Sequence, residues 1–221
     1  MHNTEYTFKF PGLEYKFTVD SERTEQAAKG PAWTELSCCK CPNCPLKSDE
    51  DFYCPAALDM HEVTETFRDM PSIEICDVTV ISRERTYHKN CAAQEGLRSL
   101  LGLIMATSKC PILGRMHPLA QQHLPFSEFE DMLVRMSGAY LISQYFKKEN
   151  NEEPDWDFTH LKEFFKELTI VDKHLMKRLS LASRKDSVVN AMYTFVAFSE
   201  LAEISFDSLI AALKDSYQDV F

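Results

Sequence analysis

Hydrophobic and polar residues alternate along the first twenty positions of the chain. Apolar side chains stand at every second position before Pro11-Gly12, and the same spacing resumes after this dipeptide. The members of the pattern are Tyr6, Phe8, Phe10, Leu13, Tyr15, Phe17 and Val19. A period of two places these side chains on one face of a strand, and Pro-Gly favours a turn. The pattern predicts a β-hairpin with one buried aromatic face.

A second segment, residues 73–88, is rich in β-branched side chains and also has the composition of a strand. Its apolar positions alternate, but their phase changes near Cys76, as it does at a β-bulge. These positions are Ile73, Ile75, Val78 and Val80. We expect one further strand here, paired with the hairpin. The polar stretch between Asp20 and Pro31 predicts a loop or a short irregular helix.

The remaining segments have the three- and four-residue spacing of amphipathic helices. A helix should begin at Pro55, and further helices are predicted over 92–107, 111–122, 127–148, 158–182, 187–204 and 206–217. Ser127 and Glu130 have the spacing of a capping box. The segment Val188–Phe198 is apolar nearly all round, which predicts a central helix or a subunit interface.

Together these elements predict an α+β fold: a small N-terminal antiparallel sheet with a cysteine metal knuckle, packed on a mainly helical C-terminal half. Residues 1–90 would hold the hairpin, the knuckle and the third strand, and residues 91–221 a helical bundle. With 221 residues the chain is long enough to bury a sizeable core. We expect the two parts to form one compact unit.

The charge of the chain narrows the range of partners. The net charge is -10 and the pI about 5.2, so the chain as a whole repels phosphate backbones and anionic lipid surfaces. The longest strongly apolar run, Leu100–Ala106, is far below the ~20 residues of a membrane helix. The N-terminal residues do not have the pattern of a secretory signal. We therefore expect a cytoplasmic protein that binds neither nucleic acid nor membranes.

Cysteine is the residue type that carries candidate chemistry. Five of the eight cysteines lie within Ser37–Pro55, a polar and proline-rich segment. A reducing compartment disfavours disulfides and favours metal or redox chemistry. Cys41 and Cys44 are separated by two residues, the spacing that lets two thiolates bind one ion, and Cys54 supplies a third ligand.

Cys110 is the predicted fourth ligand because it shares a local feature with the other three. Proline follows Cys41, Cys44, Cys54 and Cys110, and it follows none of the other four cysteines. A proline after a ligand fixes the direction of the chain and removes one backbone donor beside the sulfur. Imidazole is also a zinc ligand, so His61, His88 and His123 remain alternatives to Cys110.

The spacing does not choose the metal. Structural zinc fits four thiolates, and an iron-sulfur cluster fits as well, because Cys-Pro also occurs in bacterial cluster-binding sequences. The vicinal pair Cys38-Cys39 is expected to flank the knuckle without binding the ion. Cys76 and Cys91 are expected to be small buried hydrophobic residues.

Several short motifs resemble those of a known family. They are Cys-Pro-Asn-Cys-Pro-Leu (41–46), Tyr-Cys-Pro (53–55), Ser-Leu-Leu-Gly (99–102), Cys-Pro-Ile (110–112) and His-Leu-Pro-Phe (123–126). The chain resembles a family of uncharacterised bacterial proteins, a domain of unknown function. The resemblance implies a bacterial cytosolic protein, makes Cys110 and His123 part of the motif set, and transfers no reaction. Lys109 departs from the small residue expected before that cysteine.

Three functions follow from these observations. The first is a zinc-stapled binding or regulatory module that acts through a protein partner or as a homodimer. The alternative is an iron-sulfur redox or sensor protein, whose fold changes when the cluster is lost. An enzyme that uses His123 near the metal is the least supported, because four thiolates leave no open coordination position.

Overall fold

The computed structural model of the protein describes residues 3–22 and 29–218. Four antiparallel strands form one sheet in the order β2-β1-β3-β4. The strands are β1 (Asn3–Phe10), β2 (Leu13–Asp20), β3 (Ile75–Ser82) and β4 (Arg85–Ala92). The predicted hairpin is confirmed as β1 and β2. Gly12 has a φ of +75° in its turn, a backbone conformation that glycine adopts without steric cost.

The predicted single third strand is wrong, because residues 73–88 belong to a second hairpin. The chain turns at Arg83, whose φ is 56°, and the second strand of this hairpin extends to Ala92. The predicted bulge near Cys76 is also absent, since β3 pairs without interruption from Ile75 to Ser82. Ile73 lies before the strand and is 76 % exposed, so the apparent change of phase came from a residue outside the strand.

Helices make up most of the rest of the chain, and the α+β fold is confirmed. They are α1 (Pro55–Asp59), α2 (His61–Phe67), α3 (Ala93–Ala106), α4 (His117–Gln121), α5 (Phe129–Glu149), α6 (Thr159–Ala182), α7 (Ser187–Ala212) and α8 (Lys214–Tyr217). The predicted helix over 111–122 is a 3₁₀ turn, Leu113–Met116, followed by the short α4. The segment between Asp20 and Pro31 was predicted as irregular, and residues 23–28 of it lie outside the described residues.

The capping box of α5 lies one residue later than predicted. Glu128 is the N-cap, and its N–H donates to the Asp131 carboxylate at 2.9 Å. Ser127 cannot serve as the cap because its hydroxyl donates to the Leu124 carbonyl instead. The predicted break after Ile204 is a kink within α7, where Ser205 has a φ of -126°.

The core lies between one face of the sheet and the helices. Phe67, the last residue of α2, packs against four aromatic rings of the first hairpin at centroid distances of 5.0 to 6.3 Å. Helix α3 crosses the sheet at Gly96, and α7 packs between α3 and α6. The predicted central position of Val188–Phe198 is therefore confirmed. Within the described ranges, no helix combines the length and the apolar character that crossing a lipid bilayer requires.

Candidate metal centre

Hydrogen bonds between two stretches of backbone fix the position of Cys54. The Leu36 N–H donates to the Phe52 carbonyl at 2.8 Å, and the Cys54 N–H donates to the Thr34 carbonyl at the same distance. Between these stretches the chain folds into a turn in which the Cys44 N–H donates to the Cys41 carbonyl at 3.0 Å. The knuckle therefore has short turns where the sequence predicted no long element.

Cys54 and Cys110 occupy the same backbone arrangement, although they are far apart in the chain. The Cys54 sulfur accepts hydrogen bonds from the N–H groups of Ala56 and Ala57, the second and third residues after it. The Cys110 sulfur accepts from Ile112 and Leu113, which are also the second and third residues. The position directly after the cysteine donates to neither sulfur, so proline is accommodated there without losing a hydrogen bond.

The fold brings the four predicted thiols into one neighbourhood. Burial, and secondarily the negative charges of the Cys54, Cys44 and Cys110 thiols, together raise the pKa of Cys41 to about 12. Burial also raises the pKa of Cys110, the two N–H donors lower it, and the Cys54 and Cys44 charges raise it. Cys110 thus approaches the knuckle from the loop after α3, and its role as a fourth ligand stays a prediction.

A buried arginine lies beside these thiols. Arg178 of α6 is 1 % exposed, and its guanidinium donates to the carbonyls of Trp33, Glu35 and Leu36 at 2.8, 2.6 and 3.1 Å. Its Nε has no hydrogen-bond partner, and across the described parts of the chain no carboxylate forms an ion pair with it. Burial raises the pKa of Cys54. The positive charge of Arg178 is the second-largest effect, and it lowers this pKa.

Sequence reasoning missed Arg178, although a signal was present. Leu175, Leu179 and Ala182 mark the buried stripe of α6, and position 178 follows Leu175 by three residues. A charged residue on such a stripe must find partners inside the protein. The lysines of α6 lie outside this stripe, at exposed or partly exposed positions.

The side chains of the four proposed ligands do not converge on a single point in the structure. Among the described residues, no group of three or more His, Cys, Asp or Glu side chains converges closely enough to hold a metal ion. The residues nevertheless fit a metal in two respects. The four cysteines would supply four sulfur donors, two of which accept backbone N–H groups, and in the described part of the chain the arginine beside them forms no ion pair with a carboxylate.

The alternative ligands and the remaining cysteines have other contacts. His123 Nε2 lies 2.5 Å from the Tyr6 hydroxyl, His88 Nε2 lies 3.6 Å from the Asp77 carboxylate, and the His61 ring packs on Trp33. Cys76 and Cys91 are buried cross-strand neighbours of β3 and β4, which confirms that they fill the core. Burial raises the pKa of Cys38, and the neighbouring Cys39 thiol raises it further.

His123 and Asp172 are two further buried ionisable residues. Burial, and secondarily the Arg135 charge, lowers the pKa of His123 to about 3. Burial raises the pKa of Asp172 to about 7, against a smaller opposing effect of its hydrogen bond with Ser199. Both side chains line one cavity. The signal that marked Arg178 also marked Asp172, which follows Leu168 by four positions and precedes Leu175 by three.

Comparisons with known proteins give a family and no activity. A family model described as a domain of unknown function (DUF6901) matches residues 4–218. No curated protein and no solved structure matches the chain.

Proposed function

The chain belongs to the DUF6901 family of domains of unknown function, and we propose from its own residues that it is a metal-stapled binding or regulatory module. Cys41, Cys44, Cys54 and Cys110 would hold one zinc ion with four thiolates, a coordination shell without an open position. The ion would join the N-terminal knuckle to the loop that follows α3. Such a centre stabilises a fold and does not itself perform catalysis.

One observation carries this proposal: the other Cys-Pro thiols lie close enough to Cys41 and Cys110 to raise the pKa of both, which burial also raises, and in the described residues the buried arginine beside them forms no ion pair with a carboxylate. A zinc ion with four thiolates has a net charge of about -2. A buried cation without a counter-ion is costly, and a negatively charged centre offsets that cost. The charge of Arg178 therefore favours a thiolate-rich centre.

An iron-sulfur cluster is the second candidate, and a specific feature favours it. Two of the sulfurs accept two backbone N–H donors each, and hydrogen bonds to sulfur are among the factors that set the potential of a cluster. The same bonds also support zinc thiolates. In this alternative the protein would be a redox protein or sensor.

The binding role is supported by an apolar face of α5. Ile142, Tyr145 and Phe146 have helical spacing, and each is more than half exposed. Exposed apolar side chains that form a contiguous patch mark interaction surfaces more often than isolated ones do. A protein partner or a second copy of the chain would cover this face. Sedimentation of the purified chain over a range of concentrations tests for the second copy.

The decisive experiment is metal analysis of the full-length chain purified without oxygen. Because aerobic purification strips some clusters, elemental analysis and the absorption spectrum should both be recorded under anaerobic conditions. One zinc per chain and a colourless sample support the first proposal. Iron with sulfide and absorption near ~400 nm support the alternative.

Two matched variants test the fourth ligand. Cys110→Ala removes a proposed ligand, and Cys76→Ala removes a buried cysteine of the sheet. We expect the first variant to lose most of its metal and the second to retain it, although both lose a small buried side chain. Full metal content in Cys110→Ala would exclude Cys110, and metal-free wild-type protein with normal stability would exclude the metal centre altogether.

A further inference from the structure

A cavity lies between α3, the α4 region, α5, α6 and α7. Its volume is about 100 Å³, and it is partly open to solvent. Most of its wall is apolar and includes Leu103, Ala106, Met136, Phe195 and Phe198. An apolar cavity of ~150 Å³ accommodates benzene, so this one has room for about four to six non-hydrogen atoms.

One polar atom of the wall has no partner. Asp172 is 3 % exposed, and its Oδ1 atom makes no hydrogen bond. Its hydrogen bond with Ser199 is therefore made through the other carboxyl oxygen. Against the larger effect of burial, this bond lowers the pKa of Asp172, as a hydrogen bond donated to the carboxylate does. Oδ1 of the carboxylate is then an acceptor that faces no donor.

The other polar groups of the wall already have partners. Ser99 Oγ contacts the Tyr6 hydroxyl at 2.8 Å and accepts the Phe126 N–H at 3.1 Å. Arg135 donates to the carbonyls of Leu119 and Gln122 at 3.0 and 2.7 Å. Asp172 Oδ1 is thus the unsatisfied acceptor in a mainly apolar wall, and a buried acceptor without a donor is costly.

We infer that this cavity binds a small neutral molecule with a compact apolar body and one hydroxyl or N–H group that donates to Asp172 Oδ1. The proposal is independent of the metal centre, because it uses none of the cysteines. A water molecule satisfies the cavity less well, since a buried water needs two to four polar partners and the nearby polar groups are already paired.

The charges around the cavity exclude ionic ligands. Arg98 and Arg135 both line it, so an organic cation would be repelled. An organic anion would have to approach the buried carboxyl of Asp172, whose free oxygen accepts and does not donate. The ligand class that fits is a short branched alcohol or a comparable neutral amide.

The test uses isobutanol and xenon as probes of the full-length protein at neutral pH. Four of the nine methionines line the cavity and report on its occupancy when their methyl groups are ¹³C-labelled. These are Met105, Met116, Met132 and Met136. We expect isobutanol to shift their NMR signals saturably, while the signals of Met60, Met70 and Met192 stay fixed. Xenon should fill the same space without needing a donor.

Three variants distinguish the contribution of the hydrogen bond to binding from the contribution of the cavity volume. Asp172→Leu removes the acceptor and should weaken isobutanol binding about fivefold, the loss expected for one hydrogen bond, with xenon binding retained. Asp172→Asn keeps an amide carbonyl oxygen and should bind isobutanol nearly as well as the wild type. Ala106→Leu extends three carbon atoms into the cavity and should abolish the binding of both probes.

Other results would overturn the inference. If neither probe shifts the four lining methionines, the cavity holds no such ligand and an ordered water at most. If Asp172→Leu binds isobutanol as the wild type does, or isobutyrate binds more tightly than isobutanol, the assigned donor chemistry is wrong. Shifts that persist in Ala106→Leu would place the bound probe elsewhere. Far-UV circular dichroism verifies that each variant is folded.

Discussion

The residue after a cysteine decides how its sulfur is solvated in this protein. At Cys54 and Cys110 the second and third N–H groups point to the sulfur, and proline occupies the position between. Proline has no N–H and fits the first turn of a helix, so it begins this arrangement at little cost. The Cys-Pro pairs are therefore explained by backbone geometry at two of the four sites.

Arg178→Met should be among the most destabilising single substitutions outside the apolar core. The change removes three hydrogen bonds and leaves the carbonyls of Trp33 and Leu36 without donors, while the Glu35 carbonyl keeps the Cys38 N–H at 3.1 Å. Each buried acceptor without a partner costs about 1–3 kcal/mol, so we expect a total loss of roughly 3–5 kcal/mol. Urea unfolding measures it.

The control for this substitution is Arg184→Met on the loop after α6. Arg184 is exposed, and its side chain makes one long contact of 3.5 Å with Asp69. Exposed ion pairs contribute little, so its loss should change the free energy of unfolding by less than about 1 kcal/mol. Equal effects of the two variants would contradict the structural role assigned to Arg178.

Asp172 and His123 should impose opposite pH dependences on stability. Folding raises the pKa of Asp172 from 3.8 to about 7, so its contribution to stability is present at acid pH and is lost as the pH rises through that interval. Folding lowers the pKa of His123 from 6.5 to about 3, so its contribution is present above pH 6.5 and is lost as the pH falls. Between about pH 4 and 6.5 the two effects cancel.

Asp172→Asn should expose this cancellation. The variant retains the effect of His123 alone, so its stability relative to the wild type should rise by roughly 1.4 kcal/mol per pH unit between pH 4.5 and 6.5. Urea unfolding at several pH values gives the difference. Asp207→Asn, which changes an 81 % exposed carboxylate, is the control and should give a nearly constant difference. A constant difference for both variants would contradict the burial effect at Asp172.

At the scale of elements, the close approach of α3 to the sheet depends on one glycine. A Cβ atom at Gly96 would lie 2.6 Å from the Phe8 ring and 2.8 Å from a Val78 methyl. Both neighbours are fully buried, so they have little room to move. The contact fixes the height of α3 above the sheet, and with it the starting point of the loop that carries Cys110.

Gly96→Ala and Gly138→Ala should change stability in opposite directions. The first introduces the clash with Phe8 and Val78 and should cost about 1–3 kcal/mol. The second lies in α5, where a Cβ atom meets nothing within 4 Å, and should stabilise the helix by about 0.5–1 kcal/mol. Thermal unfolding of both variants under one condition measures the contrast. A neutral Gly96→Ala would mean that α3 can shift away from the sheet.

For the whole molecule, the proposed metal would couple distant parts of the chain. A structural zinc site contributes on the order of 10 kcal/mol to the folding of small domains. Removal of the ion by a chelator should therefore increase hydrogen exchange in the knuckle and in residues 108–116. The sheet has its own continuous ladders and should stay protected.

Hydrogen-exchange mass spectrometry of the metal-loaded and chelated protein measures this difference. Because β1–β4 contain none of the proposed ligands, their peptides serve as the internal control. Unchanged exchange in both the knuckle and the Cys110 loop would contradict the proposed coupling. Loss of protection throughout the chain would mean that the metal maintains the entire fold.

The sequence by itself determined the features that depend on residue patterns within short segments. Periods of two and of three to four residues gave the first hairpin and the long helices, because each element buries one face. The Cys-Pro pairs gave the four thiols that the fold brings near one another. Short elements were less predictable: the turn at Arg83 and the break at Met60 interrupt segments whose composition favours a single element.

Only the tertiary structure decided what the buried charged residues face. Arg178 lies beside the thiols and Asp172 beside the cavity, although both belong to the same amphipathic helix with its many exposed charges. Periodicity reports which face of a helix is buried on average. It does not report which backbone carbonyls or which cavity that face will meet, because those depend on contacts between residues far apart in the chain.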